Sequence, residues 1–111
     1  MSKTLTIDCS RITDGQSFHE VFYTAMGFPE YYGRNMNAWI DCMTYLDDPD
    51  CAMTNIHVAP GQVLTLVLEG ARELGKRCPE IYGDLIECAA FVNWRRLEVS
   101  EPAVLALAYH D

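Results

Sequence analysis

Thr4, Leu5, Thr6 and Ile7 alternate polar and apolar, the two-residue period of a half-buried strand. The period then changes. Phe18, Val21, Phe22, Ala25 and Met26 recur at helical spacing. After the Asp14-Gly15 turn, Ser17 reads as the N-cap and Glu20, three residues on, as its capping-box partner. Gly27 supplies a stop. Pro29 and Gly33 then shape a tight turn, with Gly33 expected to take the backbone geometry most residues resist. Asn35 caps a short second helix. Met36, Trp39, Ile40, Met43 and Leu46 form its apolar stripe, and Asn37, Asp41, Thr44, Tyr45 and Asp48 its polar one.

Residues 47–62 hold Pro49, Asn55, Pro60, Gly61 and several Asp, and are expected to form a loop with few backbone hydrogen bonds. A loop of 16 residues is long for a compact domain and points to function or disorder. Residues 63–68 are nearly all apolar, as in a central strand buried on both faces. A short helix follows over 70–78. Pro79 suits the first position of another, whose apolar face is Ile81, Leu85, Cys88, Ala89 and Val92. Pro102 breaks the chain, and 103–109 reads as a last buried strand. The order is strand, helix, helix, strand, helix, helix, strand. It predicts one α/β domain over 1–111, a small parallel sheet of three strands with right-handed crossovers and about four helices.

Charge narrows the partners. Sixteen acidic residues against eight Lys and Arg give a net charge of −8. Direct binding to nucleic acid or anionic membrane is disfavoured by repulsion, and a basic protein is favoured. The first ten residues lack the apolar core of a signal peptide, and no apolar run approaches the roughly 18–20 residues that span a bilayer. The five cysteines, Cys9, Cys42, Cys51, Cys78 and Cys88, are odd in number and form no C-x-x-C pair. They read as thiols of a reducing, cytoplasmic compartment.

Catalysis finds little support. His19, His57 and His110 sit in no recognisable catalytic motif, although the sequence leaves open a Cys42–His57 or Cys51–His57 pair. Asp47, Asp48, Asp50, Cys51 and His57 share a segment but lack the paired ligand spacing of a zinc site. There is no Gly-rich phosphate cradle. No enzyme activity, cofactor or metal is expected.

The run over 29–44, PEYYGRNMNAWIDCMT, resembles the loop and second helix of the barstar family of intracellular ribonuclease inhibitors. The resemblance implies the same strand and helix order. It also implies an immunity protein that binds a toxic nuclease one-to-one, itself a monomer, and blocks a basic active site through Tyr31, Asn35, Asn37, Asp41, Thr44, Tyr45 and Asp48. Tyr31 would face outward and Tyr32 inward. Asp41 matches the family's central acidic residue, a carboxylate in the place of an RNA phosphate among Arg, Lys or His side chains. The chain departs from the family at several places. The second helix carboxylate falls at the neutral Asn37, an aromatic position holds Ile40 beside Trp39, and the interfacial glycine becomes Tyr45, followed by Leu46. The family's late-helix glutamate falls somewhere in 94–98, which contains Arg95, Arg96 and Glu98. These changes, with 47–62 beside the helix, point to a nuclease other than barnase. The alternative is a protein-binding module that uses the same helix for a regulatory, non-toxin partner.

Overall fold

Three leucines, Leu64, Leu66 and Leu68, organise the molecule; all are fully buried on the central strand. The computed structural model describes residues 3–111. Strands β1 (Lys3–Asp8), β2 (Leu64–Glu69) and β3 (Leu105–His110) form one parallel sheet in the order β1-β2-β3. Helices α1 (Gly15–Met26) and α2 (Met36–Thr44) separate the first two strands, and α3 (Ala71–Arg77) and α4 (Pro79–Glu98) the last two. Short 3-10 turns occupy Cys9–Arg11 and Pro49–Cys51. This is the expected α/β order.

The sheet is not buried on both faces. Parallel register aligns Leu5, Leu66 and Leu107 in one row, with Ile7 beside Leu68 and Leu64 beside Leu105. That face joins the core with Phe18, Phe22, Trp39, Leu74 and Leu85. The other face carries Thr4, Thr6, Thr65, Val67, Ala106 and Ala108, all exposed or half-exposed. The nearly unbroken apolar runs of β2 and β3 thus hide a two-sided strand. Thr and Ala offer too little apolar area to hold a second helical layer. On β3, Leu105 is buried and Tyr109 is more than half exposed.

Helix α1 starts earlier than its pattern suggests. Asp14, not Ser17, is the N-cap. Its carboxylate accepts from Ser17 N at 2.8 Å while Ser17 Oγ accepts from Asp14 N at 3.0 Å. Ser17 is therefore the reciprocal partner of an Asp-led capping box, and Glu20 is freed to pair with Arg34. Gly27 ends the helix at φ 65°, where an added Cβ would collide with the Asn55 side chain. Gly33 is not the residue with positive φ; Arg34 is, at 54°. Gly33 is small for another reason: a Cβ there would lie 3.2 Å from the capping Asn35 side chain.

Residues 47–62 are pinned, contrary to the expected open loop. Asn55 N donates to Met26 O at 2.8 Å and Val58 N to Leu46 O at 3.0 Å. Thr54 and Val58 are buried, and Met53 and Ile56 pack on the core. The alternation Thr54, Ile56, Val58 supplies enough apolar area to anchor a segment whose Pro and Gly signal only turns.

Candidate protein-docking face

Helix α2 is short, so its two ends and its buried side must hold it. Asn35 Oδ1 accepts from Ala38 N at 2.8 Å, and Asn35 Nδ2 donates to Gly33 O at 3.3 Å. Trp39, Ile40, Cys42, Met43 and the following Leu46 are buried. Trp39 meets Phe22 edge-on, with ring centroids 5.6 Å apart. At the far end, Arg96 of α4 is almost wholly buried. Its Nη1 donates to Thr44 O at 2.7 Å, and its two Nη atoms fork onto the Asp47 carboxylate at 3.1 and 2.6 Å. Its Nε donates to Pro102 O at 2.7 Å.

The turn before α2 is built from side chains. Tyr32 is buried against Phe28 and bonded to His19 Nδ1 at 2.6 Å. Burial pushes the Tyr32 phenol up, so it stays protonated. Burial, and then Arg34, hold the His19 pKa below its ordinary 6.5, so its ring is neutral at pH 7. Arg34 pairs with Glu20 and lies over the Tyr23 ring, 5.0 Å from its centroid. Tyr31 is left facing outward at 75% exposure, touched by Met53 Sδ of the 47–62 segment at 3.6 Å.

The seven candidate residues divide by what their side chains are doing. Asn37, Asp41 and Tyr45 are exposed at successive i, i+4 positions and share one helix face. Tyr31 is exposed at the turn. Asn35 spends its amide on the cap. Thr44, expected on the polar stripe, is buried, and its hydroxyl donates back to Ile40 O at 2.6 Å. Asp48 is half-buried and accepts from Cys51 Sγ at 3.2 Å. Asp41 is not alone: Arg95 Nη1 of α4 reaches its Oδ1 at 3.1 Å, both side chains remaining partly exposed.

Two arginines adjacent in sequence thus do different work, which pattern reading did not separate. Arg96 continues the buried stripe of Leu85, Ala89 and Val92, four residues after Val92, and that spacing was the available signal. Arg95 lies off the stripe. Phe91 and Trp94 also lie off it, exposed and stacked with centroids 5.4 Å apart.

The thiols are poorly placed for nucleophilic work. Burial raises Cys42 to about 11, with Asp41 adding to the shift, and burial raises Cys9 to about 11. Cys51 is raised by its hydrogen bond to Asp48. A reactive cysteine needs the opposite shift. Among the described residues, no group of three or more His, Cys, Asp or Glu is placed to hold a metal ion, and no helix is long and apolar enough to cross a membrane. A cleft of about 580 Å³ runs between β1 and α1, and none of the seven candidate residues lines it. The row on α2 is an outward face, suited to a macromolecule's cavity more than to a small ligand.

No curated protein matches the chain. The family model for Barstar, described as the barnase inhibitor, matches residues 2–106. With this strand and helix order and this capped, outward-facing α2, the chain belongs to the barstar family.

Proposed function

We propose that the protein is an intracellular inhibitor, the immunity protein of a toxic nuclease, most directly a ribonuclease. It would enter the basic active site with α2 and the preceding turn, as a monomer forming a one-to-one complex, in the cytoplasm. The observation that carries this reading is the division of α2. One side is sealed in the core, and the other presents Asn37, Asp41 and Tyr45 in a row, with Tyr31 exposed on the turn before the helix. A carboxylate on so constrained a helix loses little freedom on binding. It can meet the cations that a nuclease keeps for phosphate. Occlusion alone stops the enzyme. Five free thiols suit a reducing compartment.

The test begins with capture of partners from the source cells on the tagged chain, identified by mass spectrometry. RNA-cleavage assays on the captured protein follow. Asp41→Ala should fold as the parent does and inhibit about 30-fold to several thousand-fold less well, the loss of a close interfacial charge pair. An Asp41→Ala protein that melts like the parent and inhibits equally would remove the active-site role of this face. Captured partners without nuclease activity would favour a regulatory contact instead.

A further inference from the structure

Asp41 carries the docking argument, yet it already has a cation. Arg95 Nη1 lies 3.1 Å from Asp41 Oδ1, with side-chain exposures of 37% and 58%. We propose that Arg95 is the specificity-determining residue of this face: it selects a nuclease that presents a carboxylate beside the cation meeting Asp41, and rejects a cleft that is basic throughout. The proposal rests on the inhibitor reading and deepens it.

Arg95 reaches this place by helix phase. It stands three residues after the buried Val92 and just before the buried Arg96, at the edge of α4 that faces α2. The Arg96 clamp fixes α4 against the end of α2, so Arg95 cannot withdraw by moving its backbone. Other cations near the face are engaged elsewhere: Arg34 with Glu20, Arg96 with Asp47. Arg95 is therefore the cation that any partner approaching Asp41 meets.

An exposed ion pair contributes little to stability and is cheap to open. The cost appears when a partner covers it. A nuclease cation taking Asp41 would displace Arg95 and trap it against further cations, and a covered, unpaired charge is strongly unfavourable. A carboxylate next to the incoming cation resolves this by receiving Arg95, giving two crossed pairs where there was one. Attraction to that partner and repulsion of a wholly basic one come from the same guanidinium.

The probe is barnase, whose cleft must accommodate anionic RNA. Its binding and inhibition by the parent would be compared with Arg95→Ala, Arg95→Glu and Arg72→Glu. The last makes the same change in net charge at an exposed cation of α3 that pairs with Asp111 after β3, outside the row. Arg95→Glu should bind barnase at least about 10-fold more tightly than the parent, with Arg95→Ala between them. Arg72→Glu should stay within about 3-fold, since a distant surface charge is largely screened. Against the nuclease captured from the source cells, Arg95→Glu should lose about 10-fold or more. The proposal is overturned if Arg95→Glu gains nothing on barnase, or if Arg72→Glu gains as much. Melting curves establish that each variant is folded, and Arg95→Ala avoids placing a second carboxylate beside Asp41. The barnase comparison stands apart from the captured partner. Nuclease inhibition by the parent with no Arg95 effect sinks this proposal alone, whereas a parent that inhibits no nuclease sinks the inhibitor reading.

Discussion

Replacing Arg96 by alanine should damage the protein more than any other change to a charged side chain. Arg96 is 3% exposed and binds Thr44 O, Pro102 O and both oxygens of Asp47, with Glu101 Oε2 a further 3.5 Å partner. Arg96→Ala leaves the Asp47 carboxylate, only 14% exposed, without its main cation, and strips donors from two carbonyls. Breaking a buried pair by removing one partner costs about 3–5 kcal/mol. The unpaired carbonyls draw on the same desolvation and partly overlap that figure. For 111 residues, an unfolding entropy of about 2.1 cal/mol/K per residue gives about 0.23 kcal/mol/K, so the melting temperature should fall by about 13–21 °C. Arg96→Lys keeps the charge but not the fork and should fall by less than alanine does. Thermal melting by circular dichroism at neutral pH reads all three proteins. The double variant Arg96→Met with Asp47→Ala removes the stranded carboxylate. It should melt above the sum of its single variants, the sign of a coupled pair. A melting point for Arg96→Ala within about 4 °C of the parent, or strict additivity in the double variant, would refute the clamp.

Other outcomes test the remaining links. Trp39→Ala should cost about 3–5 kcal/mol, because it empties the centre of the core. Trp39→Phe should be far milder, since Trp39 Nε1 is buried with no acceptor among the described residues and phenylalanine discards that donor. If Trp39→Ala instead kept its melting point and lost only inhibition, the two faces of α2 would have been assigned backwards. Denatured but unreduced protein should take up five alkyl groups by intact mass, one per free thiol, and a smaller number would reveal a disulfide. His19 binds its proton less readily folded than unfolded. The unfolded state therefore holds more protons near and below pH 6.5, and stability should be complete above that value and decline on acidification. His19→Asn keeps a hydrogen-bonding side chain for Tyr32 without titrating there. Its melting point should fall less than the parent's between pH 7.5 and 5.5, and equal falls would rule out this contribution.

Much of the architecture was legible because local physics carries it. Helical spacing in 36–46 predicted both faces of α2 except at Thr44, which is buried, and Asn35 proved to be its cap through a contact three residues long. Pro79 at the start of α4 and Gly27 at the end of α1 act through backbone geometry, which needs no tertiary partner. One error falls where two local solutions compete. Asp14 and Ser17 can each cap a helix, and both join one box with Asp14 in the capping place. The sequence PEYYG could show that one tyrosine turns in and one out; a hydrogen bond to His19, thirteen residues away in the chain, holds Tyr32 as the inner one.

By itself, then, the sequence determined the order of strands and helices, the acidic charge and the outward row of α2. These follow from period, capping and composition, which act over a few residues or over the whole chain at once. Only the tertiary structure decided which sheet face is covered, that 47–62 is anchored, and what Arg95 and Arg96 do. Adjacent on α4, they differ by one hundred degrees of helix phase, and that phase acquires meaning only when α2 lies beside it. One guanidinium is then sealed in a clamp, and its neighbour rests on the Asp41 carboxylate of the proposed docking face.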